Sequence, residues 1–322
     1  MDLTSHRELT LDDIEAAASR IAGGVRPVVV APADLPGAGE SWLALEFMQH
    51  TGTFKARGAL NFLRAYRDLA TLPEAGVTIA SGGNAGLACA WAARAQGVTA
   101  TVFLPATAPA VKVARLRDYG ARVRLVGDQY ADALAACHEF AARSGALMSH
   151  AYDNPLIAAG AGTLMTEIHQ RLPDLDTVVV AVGGGGLFAG IATAAHRYGV
   201  RTVAVEPRHC RALDAALAAG HPVDVPVDSV AADSLGARRA TDLAVAAALR
   251  TGARSVLVSD DEIVAARRML WAERRLAVEH GAATALAGVI GGVSGHGYRP
   301  TTGERVCVVL CGANTDPSDL AG

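Results

Sequence analysis

The chain has 322 residues, of which 51% are hydrophobic and 19% are charged, and its formal net charge is −3. This composition supports a sizeable core and excludes disordered and collagen-like proteins. Aromatic residues make up only 5% and no basic stripe is visible, so we expect no nucleic-acid partner. Since a domain usually spans about 100–200 residues, the length predicts two domains or one large α/β unit.

The cysteines and the apolar segments indicate the compartment. The five cysteines form an odd set without CxxC spacing, which argues against a disulfide framework and a structural zinc site. The polar segment 1–8 lacks the apolar core of a secretory signal. The most apolar windows, such as 282–293, are interrupted by glycine and fall short of the ~20 residues that span a bilayer. We therefore expect a cytoplasmic protein with no membrane partner.

Short β-rich runs alternate with alanine-rich helical stretches along the chain. The predicted helices cover residues 10–22, 55–69, 84–96, 110–119, 131–143, 155–171, 187–198 and 260–279. The predicted strands cover residues 42–47, 77–80, 100–104, 123–126, 147–149, 177–182, 202–206, 255–258 and 305–310. The alternation predicts an α/β fold with open, mostly parallel sheets and helices on both faces. The self-contained series 76–149 predicts a small α/β domain inserted into a large domain of residues 1–75 and 150–322.

A run of glycines follows the predicted strand 177–182 and opens a helix. It consists of Gly183, Gly184, Gly185 and Gly186 and is followed by Leu187. The backbone N–H groups of such a loop, together with the helix dipole, can bind a phosphate. A tight turn without a ligand is the alternative. The loop also imitates a dinucleotide fingerprint, because Glu206 ends the next strand where a ribose-binding acid would lie.

Lys55 lies at the predicted start of a helix, directly after the turn 51–54. The helix dipole disfavours an ammonium group at this end and so favours the neutral amine. A neutral amine is what Schiff-base chemistry requires. From this motif alone, an ordinary solvated lysine is the alternative, although the chain has few lysines.

Two further motifs directly follow strands. The first consists of Ser81, Gly82, Gly83, Asn84 and Ala85. Its backbone amides can bind an anion, and Asn84 can reach a ring hydroxyl or a carboxylate. The alternative is that the segment is merely a helix-capping turn. The second motif contains Cys311, which is either a buried small hydrophobe or a polar contact to a cofactor.

In this order and at these separations, the four motifs resemble those of the fold-type II pyridoxal-phosphate enzymes, and more narrowly the serine/threonine dehydratase branch. The resemblance extends from about Trp42 to Asn314 and implies a tryptophan-synthase-β-like fold with pyridoxal 5'-phosphate as cofactor. It implies that Lys55 carries the cofactor as a Schiff base. It also implies that Phe54 lies against the pyridine ring and that Asn84 contacts the ring hydroxyl.

The same resemblance assigns the remaining motif residues. Gly183, Gly184, Gly185, Gly186 and Leu187 correspond to the phosphate loop, and Cys311 corresponds to the residue beside the pyridine nitrogen. Ser81 and the amides of Gly82, Gly83, Asn84 and Ala85 correspond to the site for the substrate carboxylate.

The activity implied by the resemblance is β-elimination. An L-hydroxy amino acid such as L-threonine or L-serine is dehydrated and deaminated to a 2-oxo acid and ammonia, with Lys55 as the general base. Hydroxyaspartate or phenylserine dehydration, serine racemisation and threonine synthesis stay open as alternatives. We expect weak racemisation, because Gly82 stands where serine racemases carry a second serine. A nicotinamide oxidoreductase would leave Lys55, the asparagine loop and Cys311 unexplained.

Further expectations also come from the resemblance. Glu206 matches a glutamate that coordinates K⁺ or a divalent cation such as Mg²⁺ in relatives, and a helix-capping or ion-paired glutamate is the alternative. Glu279 matches a glutamate near the cofactor, and a surface charge at a helix end is equally compatible with the sequence. Since no regulatory domain fits after Asn314, we expect the catabolic type without isoleucine feedback. We also expect a homodimer.

Overall fold

The computed structural model describes residues 8–35, 39–293 and 297–320. Residues 1–7 lie outside the described residues. They make up most of the polar segment from which the absence of a secretory signal was predicted. In the part that is described, no helix is long and apolar enough to cross a membrane.

The secondary structure alternates along the chain. The helices are α1 (Leu11–Ile21), α2 (Lys55–Asp68), α3 (Asn84–Ala95), α4 (Ala110–Asp118), α5 (Tyr130–Ser144), α6 (Pro155–Arg171), α7 (Gly186–Arg197), α8 (Ala212–Ala219), α9 (Ala232–Leu235), α10 (Asp242–Thr251), α11 (Asp260–Arg274) and α12 (His280–Val293). The strands are β1 (Val30–Pro32), β2 (Ser41–Ala44), β3 (Val77–Ala80), β4 (Ala100–Leu104), β5 (Arg122–Leu125), β6 (Leu147–Met148), β7 (Thr177–Ala181), β8 (Arg201–Pro207), β9 (Arg254–Val258) and β10 (Val306–Val309). Short 3₁₀ turns cover Glu46–Met48, His50–Gly52 and Ser318–Leu320.

The strands form two open sheets, which confirms the predicted fold class. The larger sheet has six strands in the order β1-β2-β10-β7-β8-β9, and only the β1–β2 pair is antiparallel. The smaller sheet has four parallel strands in the order β5-β4-β3-β6. Ligands of such sheets bind at the carboxyl ends of the strands, where β3, β7 and β10 are each followed by a predicted motif.

Each sheet has its own hydrophobic core. The β7 strand is buried along its whole length, which explains its continuous apolar sequence. The core of the smaller sheet also takes in side chains from α2, among them Leu60 and Phe62. Helix α2 therefore packs into the core of the smaller sheet, although it lies before residues 76–149, the predicted small domain, in the chain. The division at residues 76 and 149 stays a prediction.

The predicted boundaries need correction in several places. The helix predicted over 260–279 ends at Arg274, because Arg275 adopts a left-handed conformation with φ of 56°, and a new helix starts at His280. The strand predicted over 42–47 ends at Ala44, and a 3₁₀ turn begins at Glu46. The elements that were not predicted are β1, α8, α9, α10 and α12.

A buried charge network anchors α2. The Arg57 guanidinium is fully buried, and it donates from Nε to Glu46 Oε1 at 2.7 Å and from Nη1 to Glu167 Oε1 at 2.6 Å. Nη1 also donates to Thr163 Oγ1 at 3.2 Å. Burial raises the pKa of Glu46, and the neighbouring Arg57 opposes this shift. The network joins α2 to the 3₁₀ turn after β2 and to α6.

We expect Arg57→Met to lower the free energy of unfolding by about 3–5 kcal/mol, since the buried Glu46 carboxylate would lose its counter-charge. Denaturation by urea measures this change. Arg67→Met is the matched control, because Arg67 is exposed on the same helix, and it should change the value by about 0.5 kcal/mol or less. Equal small losses in the two variants would contradict the anchoring role.

Glu206 caps helix α8 from the end of β8. Its Oε1 accepts a hydrogen bond from the Leu213 N–H and its Oε2 accepts one from the Asp214 N–H, each at 2.8 Å. The side chain is fully buried, and burial raises the pKa of its carboxyl to about 8. Two hydrogen bonds from the first turn of the helix partly oppose this shift.

The Glu206 carboxyl makes stability depend on pH. Its folded-state pKa of about 8 lies above the ordinary value of 4.5. The contribution of this carboxyl to the free energy of unfolding is therefore complete below pH 4.5 and is lost as pH rises through 8. We expect the free energy of unfolding to fall less between about pH 5 and about pH 9 in Glu206→Gln than in the wild type. Glu273→Gln, an exposed change on α11, serves as the control. Identical pH slopes in all three proteins would refute this.

Candidate active site

A cavity of about 860 Å³ lies where the carboxyl ends of β3, β7 and β10 converge. It is lined by the residues that the sequence predicted for the cofactor and the substrate, with the exception of Glu206. These lining residues are Phe54, Lys55, Ser81, Gly82, Gly83, Asn84, Ala85, Gly183, Gly184, Gly185, Gly186, Leu187 and Cys311. The fold thus brings together four motifs that are far apart in the chain.

The loop before α2 is held against the segment that follows β10. The Phe54 N–H donates to the Cys311 carbonyl at 3.0 Å, and the Ala313 N–H donates to the Gly52 carbonyl at 3.0 Å. Thr53 and Gly312 form an antiparallel bridge between these two bonds. This pairing places the start of α2, and therefore Lys55, beside Cys311.

Lys55 has the environment of a lysine that loses its proton readily. Its Nζ donates to the Ala151 carbonyl at 3.2 Å and lies 4.7 Å from the centre of the Phe54 ring. Burial lowers the pKa of the amine, and nearby Cys311 and Glu279 oppose that shift. The position at the start of α2 acts in the same direction as burial, because the helix dipole disfavours a cation there.

The asparagine loop bends sharply between β3 and α3. A Cβ on Gly86 would overlap the Ser81 carbonyl, so this first turn of α3 requires glycine. A Cβ on Gly82 would lie 2.9 Å from Leu104 Cδ2. The Asn84 amide turns toward α12, where its Nδ2 donates to Glu279 Oε1 at 2.9 Å and to Oε2 at 3.1 Å.

The tetraglycine loop forms a cradle of backbone donors. Gly185 has φ of +97°, a conformation that side chains disfavour, and a Cβ on Gly184 would overlap the Tyr152 ring. No oxygen of the described residues accepts a hydrogen bond from the N–H of Gly183, Gly184 or Gly185. These residues line the cavity at the start of α7, a position that fits a phosphate.

Cys311 presents a neutral thiol to the cavity. Burial raises its pKa to about 12, and the nearby Glu279 carboxylate adds to the shift. The thiol is therefore protonated near neutral pH, in contrast to a carboxylate in the same position.

Several functional residues escaped the sequence analysis or were left undecided by it. Glu279 is buried and lines the cavity, so its side chain is not a surface charge. Burial raises its pKa, and hydrogen bonds from Asn84 and from the Asn314 N–H oppose the shift. At the mouth, Lys112 of α4 pairs with Asp233 of α9 at 2.9 Å. Only Glu279 had a sequence signal, its place just before a glycine-alanine helix start.

Glu206 lies outside the cavity lining. Because its two oxygens cap α8, a ribose-binding role is not favoured, and the oxidoreductase alternative loses its acidic residue. No cluster of three or more His, Cys, Asp or Glu side chains within the described ranges could hold a metal ion. The cation at Glu206 stays a prediction.

Comparisons with known proteins agree with this geometry. The model of the family "Pyridoxal-phosphate dependent enzyme" matches residues 19–312. An L-threonine ammonia-lyase from Geobacter sulfurreducens is 38% identical over 86% of this chain and 67% of its own length. A phenylserine dehydratase from Ralstonia pickettii is 36% identical over 86% of this chain and 83% of its own length. The structure of maize serine racemase superposes with a TM-score of 0.90 at 27% identity, covering 98% of this chain and 96% of that one.

The residues present fit pyridoxal phosphate. They supply a half-buried amine at Lys55, a cradle of N–H groups without partners among the described residues at the tetraglycine loop, and a neutral thiol at Cys311. The two open, mostly parallel sheets match the tryptophan-synthase-β-like architecture. The chain belongs to the fold-type II pyridoxal-phosphate enzymes, and within them it is an ammonia-lyase of the threonine dehydratase type.

Proposed function

We propose that the enzyme converts a small L-hydroxy amino acid, L-threonine or L-serine, to a 2-oxo acid and ammonia. The observation that carries this proposal is the convergence of the Lys55 amine, two glycine-rich loops and the Cys311 thiol in one cavity. The similarity to the Geobacter L-threonine ammonia-lyase supports threonine as a substrate.

The chemistry divides between the cofactor and the chain. Pyridoxal phosphate, when bound, supplies an electron sink that stabilises negative charge at the substrate Cα. Lys55 holds the cofactor before the substrate arrives, and its freed Nζ then accepts the Cα proton. A lowered lysine pKa favours this step, because the neutral amine is the form that acts as a base.

Other residues hold and orient the reactants. The amides of the tetraglycine loop would bind the phosphate, and Phe54, which lines the cavity beside Lys55, would contact the pyridine ring. Ser81 and the amides of residues 82–85 bind the substrate carboxylate. Asn84 would contact the ring hydroxyl, and Cys311, as a neutral thiol, would hold the pyridine nitrogen without forcing its protonation.

The order of bond changes follows from these positions. The Cα–H bond breaks with transfer of its proton to Lys55 Nζ, and the Cβ–O bond then breaks. The hydroxyl leaves as water with one proton, which balances the proton that Lys55 Nζ took from Cα. The released enamine reacts with water to give the 2-oxo acid and ammonia.

Phenylserine is a second candidate substrate. The Ralstonia phenylserine dehydratase is 36% identical to this chain, and apolar side chains of Leu104, Val227 and Leu235 line the cavity. The cation at Glu206, the homodimer and the cytoplasmic location also stay predictions at this stage.

The lysine assignment has a sharp test, because Lys55 and Lys112 are the only lysines in the chain. We expect the purified protein to show a visible cofactor band that Lys55→Ala abolishes and Lys112→Ala retains. Borohydride reduction followed by peptide mass spectrometry should place the pyridoxyl group on Lys55. A group on Lys112, or no band after pyridoxal phosphate is added, would overturn the assignment.

The substrate assignment is tested by measuring 2-oxo acid and ammonia with L-serine, L-threonine, L-phenylserine and the D-forms of serine and threonine. We expect the highest kcat/KM with L-threonine or L-serine, and loss of turnover in Lys55→Ala. A higher kcat/KM with L-phenylserine would favour the second candidate. Interconversion of the serine enantiomers without oxo-acid release would contradict the elimination.

Gly184→Ala tests the phosphate loop, because the added Cβ would overlap Tyr152 and displace the loop. We expect the affinity for pyridoxal phosphate to fall about tenfold, since part of the charge-assisted bonding is lost. The affinity for pyridoxal, which lacks the phosphate, should change much less. Equal losses for the two compounds would show that the loop does not hold the phosphate.

A further inference from the structure

Asn314 lies at a junction of four segments beside the cavity. Its Oδ1 accepts a hydrogen bond from Arg115 Nη2 of α4 at 2.6 Å. Its Nδ2 donates to the Thr51 carbonyl and to Asn84 Oδ1, each at 2.7 Å. Its backbone N–H donates to Glu279 Oε1 at 2.8 Å. The residue thus joins the lysine loop, the asparagine loop, α12 and the helix α4 of the smaller sheet.

The chemistry of the two ends fixes the direction of this hydrogen-bond chain. A guanidinium only donates, so the Asn314 carbonyl oxygen must face Arg115, and its Nδ2 must face the other way. A carboxylate only accepts, so the Asn84 Nδ2 must face Glu279. The Asn84 oxygen then meets the Asn314 Nδ2. Neither amide can turn over without placing two donors or two acceptors together.

Thr51 gives a second reason for the position of Asn314. Thr51 adopts φ of 64°, which is unusual for a β-branched residue, and its carbonyl accepts from Asn314 Nδ2 at 2.7 Å. A Cβ on the next residue, Gly52, would lie 3.0 Å from Asn314 Oδ1. The strained turn that leads to Lys55 is therefore packed against the same amide.

We infer that Asn314, supported by Arg115, is a positioning residue that holds the Asn84 amide with its N–H side toward Glu279 and the cofactor. The inference rests on the proposed function. In this orientation the Asn84 oxygen is occupied by Asn314, and of the two Nδ2 hydrogens one serves Glu279 while the other can be offered to the ring oxygen of pyridoxal phosphate. A donor stabilises the anionic form of that oxygen, whereas an acceptor would stabilise the protonated form.

Asn314→Asp tests the orientation with almost no change of volume. It replaces the Nδ2 donor by an oxygen that faces the Thr51 carbonyl and Asn84 Oδ1, so the Asn84 amide has an acceptor on both sides and we expect it to lose its fixed orientation. The visible absorption of the bound cofactor should shift toward the form with a protonated ring oxygen. We expect kcat to fall about tenfold to a hundredfold with little change in KM.

Arg115→Met tests the same chain from its other end, with Arg117→Met as the matched control. Arg117 lies on the same helix and is exposed. Arg115→Met should shift the cofactor spectrum in the same direction and lower kcat by a few-fold, and Arg117→Met should do neither. The combined effect of Arg115→Met and Asn314→Asp should be smaller than the product of the two single effects.

The outcomes separate this inference from the proposed function. A wild-type protein without a visible cofactor band would refute the proposed function. A band that neither variant alters would refute the positioning role alone, even if the melting temperature fell. If Asn314→Asp does not fold, the spectrum of Arg115→Met decides the matter, since Arg115 is only half-buried on the outer helix α4.

Discussion

The position of Lys55 depends on the Arg57 guanidinium, which is buried from solvent. Arg57 follows Lys55 by two residues on the same helix, and its guanidinium is buried between Glu46 and Glu167. A shift of α2 would separate buried opposite charges, whose desolvation is repaid only in close contact. Helix α2 also approaches α6 closely, because a Cβ on Gly58 would lie 2.6 Å from the Ile157 carbonyl. Charge pairing and close packing therefore fix the start of α2 together.

The cavity combines fixed backbone donors with side chains whose charges are kept low. Burial lowers the pKa of Lys55 and raises that of Cys311, and both shifts favour the neutral group. On the proposed function, the anionic parts of the cofactor and substrate would be bound by the N–H groups of two glycine-rich loops at helix starts. Such donors require no mobile counter-charge, which suits a site where protons must move between neutral groups.

The sequence was informative where a local pattern determines the structure. The buried β7 strand and the glycine run after it have signals within a few residues, and the alternation of such strands with helices predicted the fold class. The cavity-lining residues were predicted from the resemblance of four ordered motifs to a known family. The contact between Asn84 and Glu279 joins residues 195 positions apart, and the Arg57 network depends on α6, 110 positions away. No local pattern carries such pairings. For Glu206 the sequence left a cation ligand and a helix cap open, and the structure shows that its two carboxyl oxygens cap α8.

The packing around Gly82 bears on how the stereochemistry of the reaction is kept. Serine racemases carry a second serine at this place, on the side of the substrate opposite the lysine. Here a Cβ would lie 2.9 Å from Leu104 Cδ2, and the Leu104 side chain is only 2% exposed in β4. A serine could enter only if the end of this side chain shifted, and Leu104 also lines the cavity. On the proposed function, the packing of Leu104 against Gly82 therefore disfavours a second proton-transferring side chain on this side of the substrate.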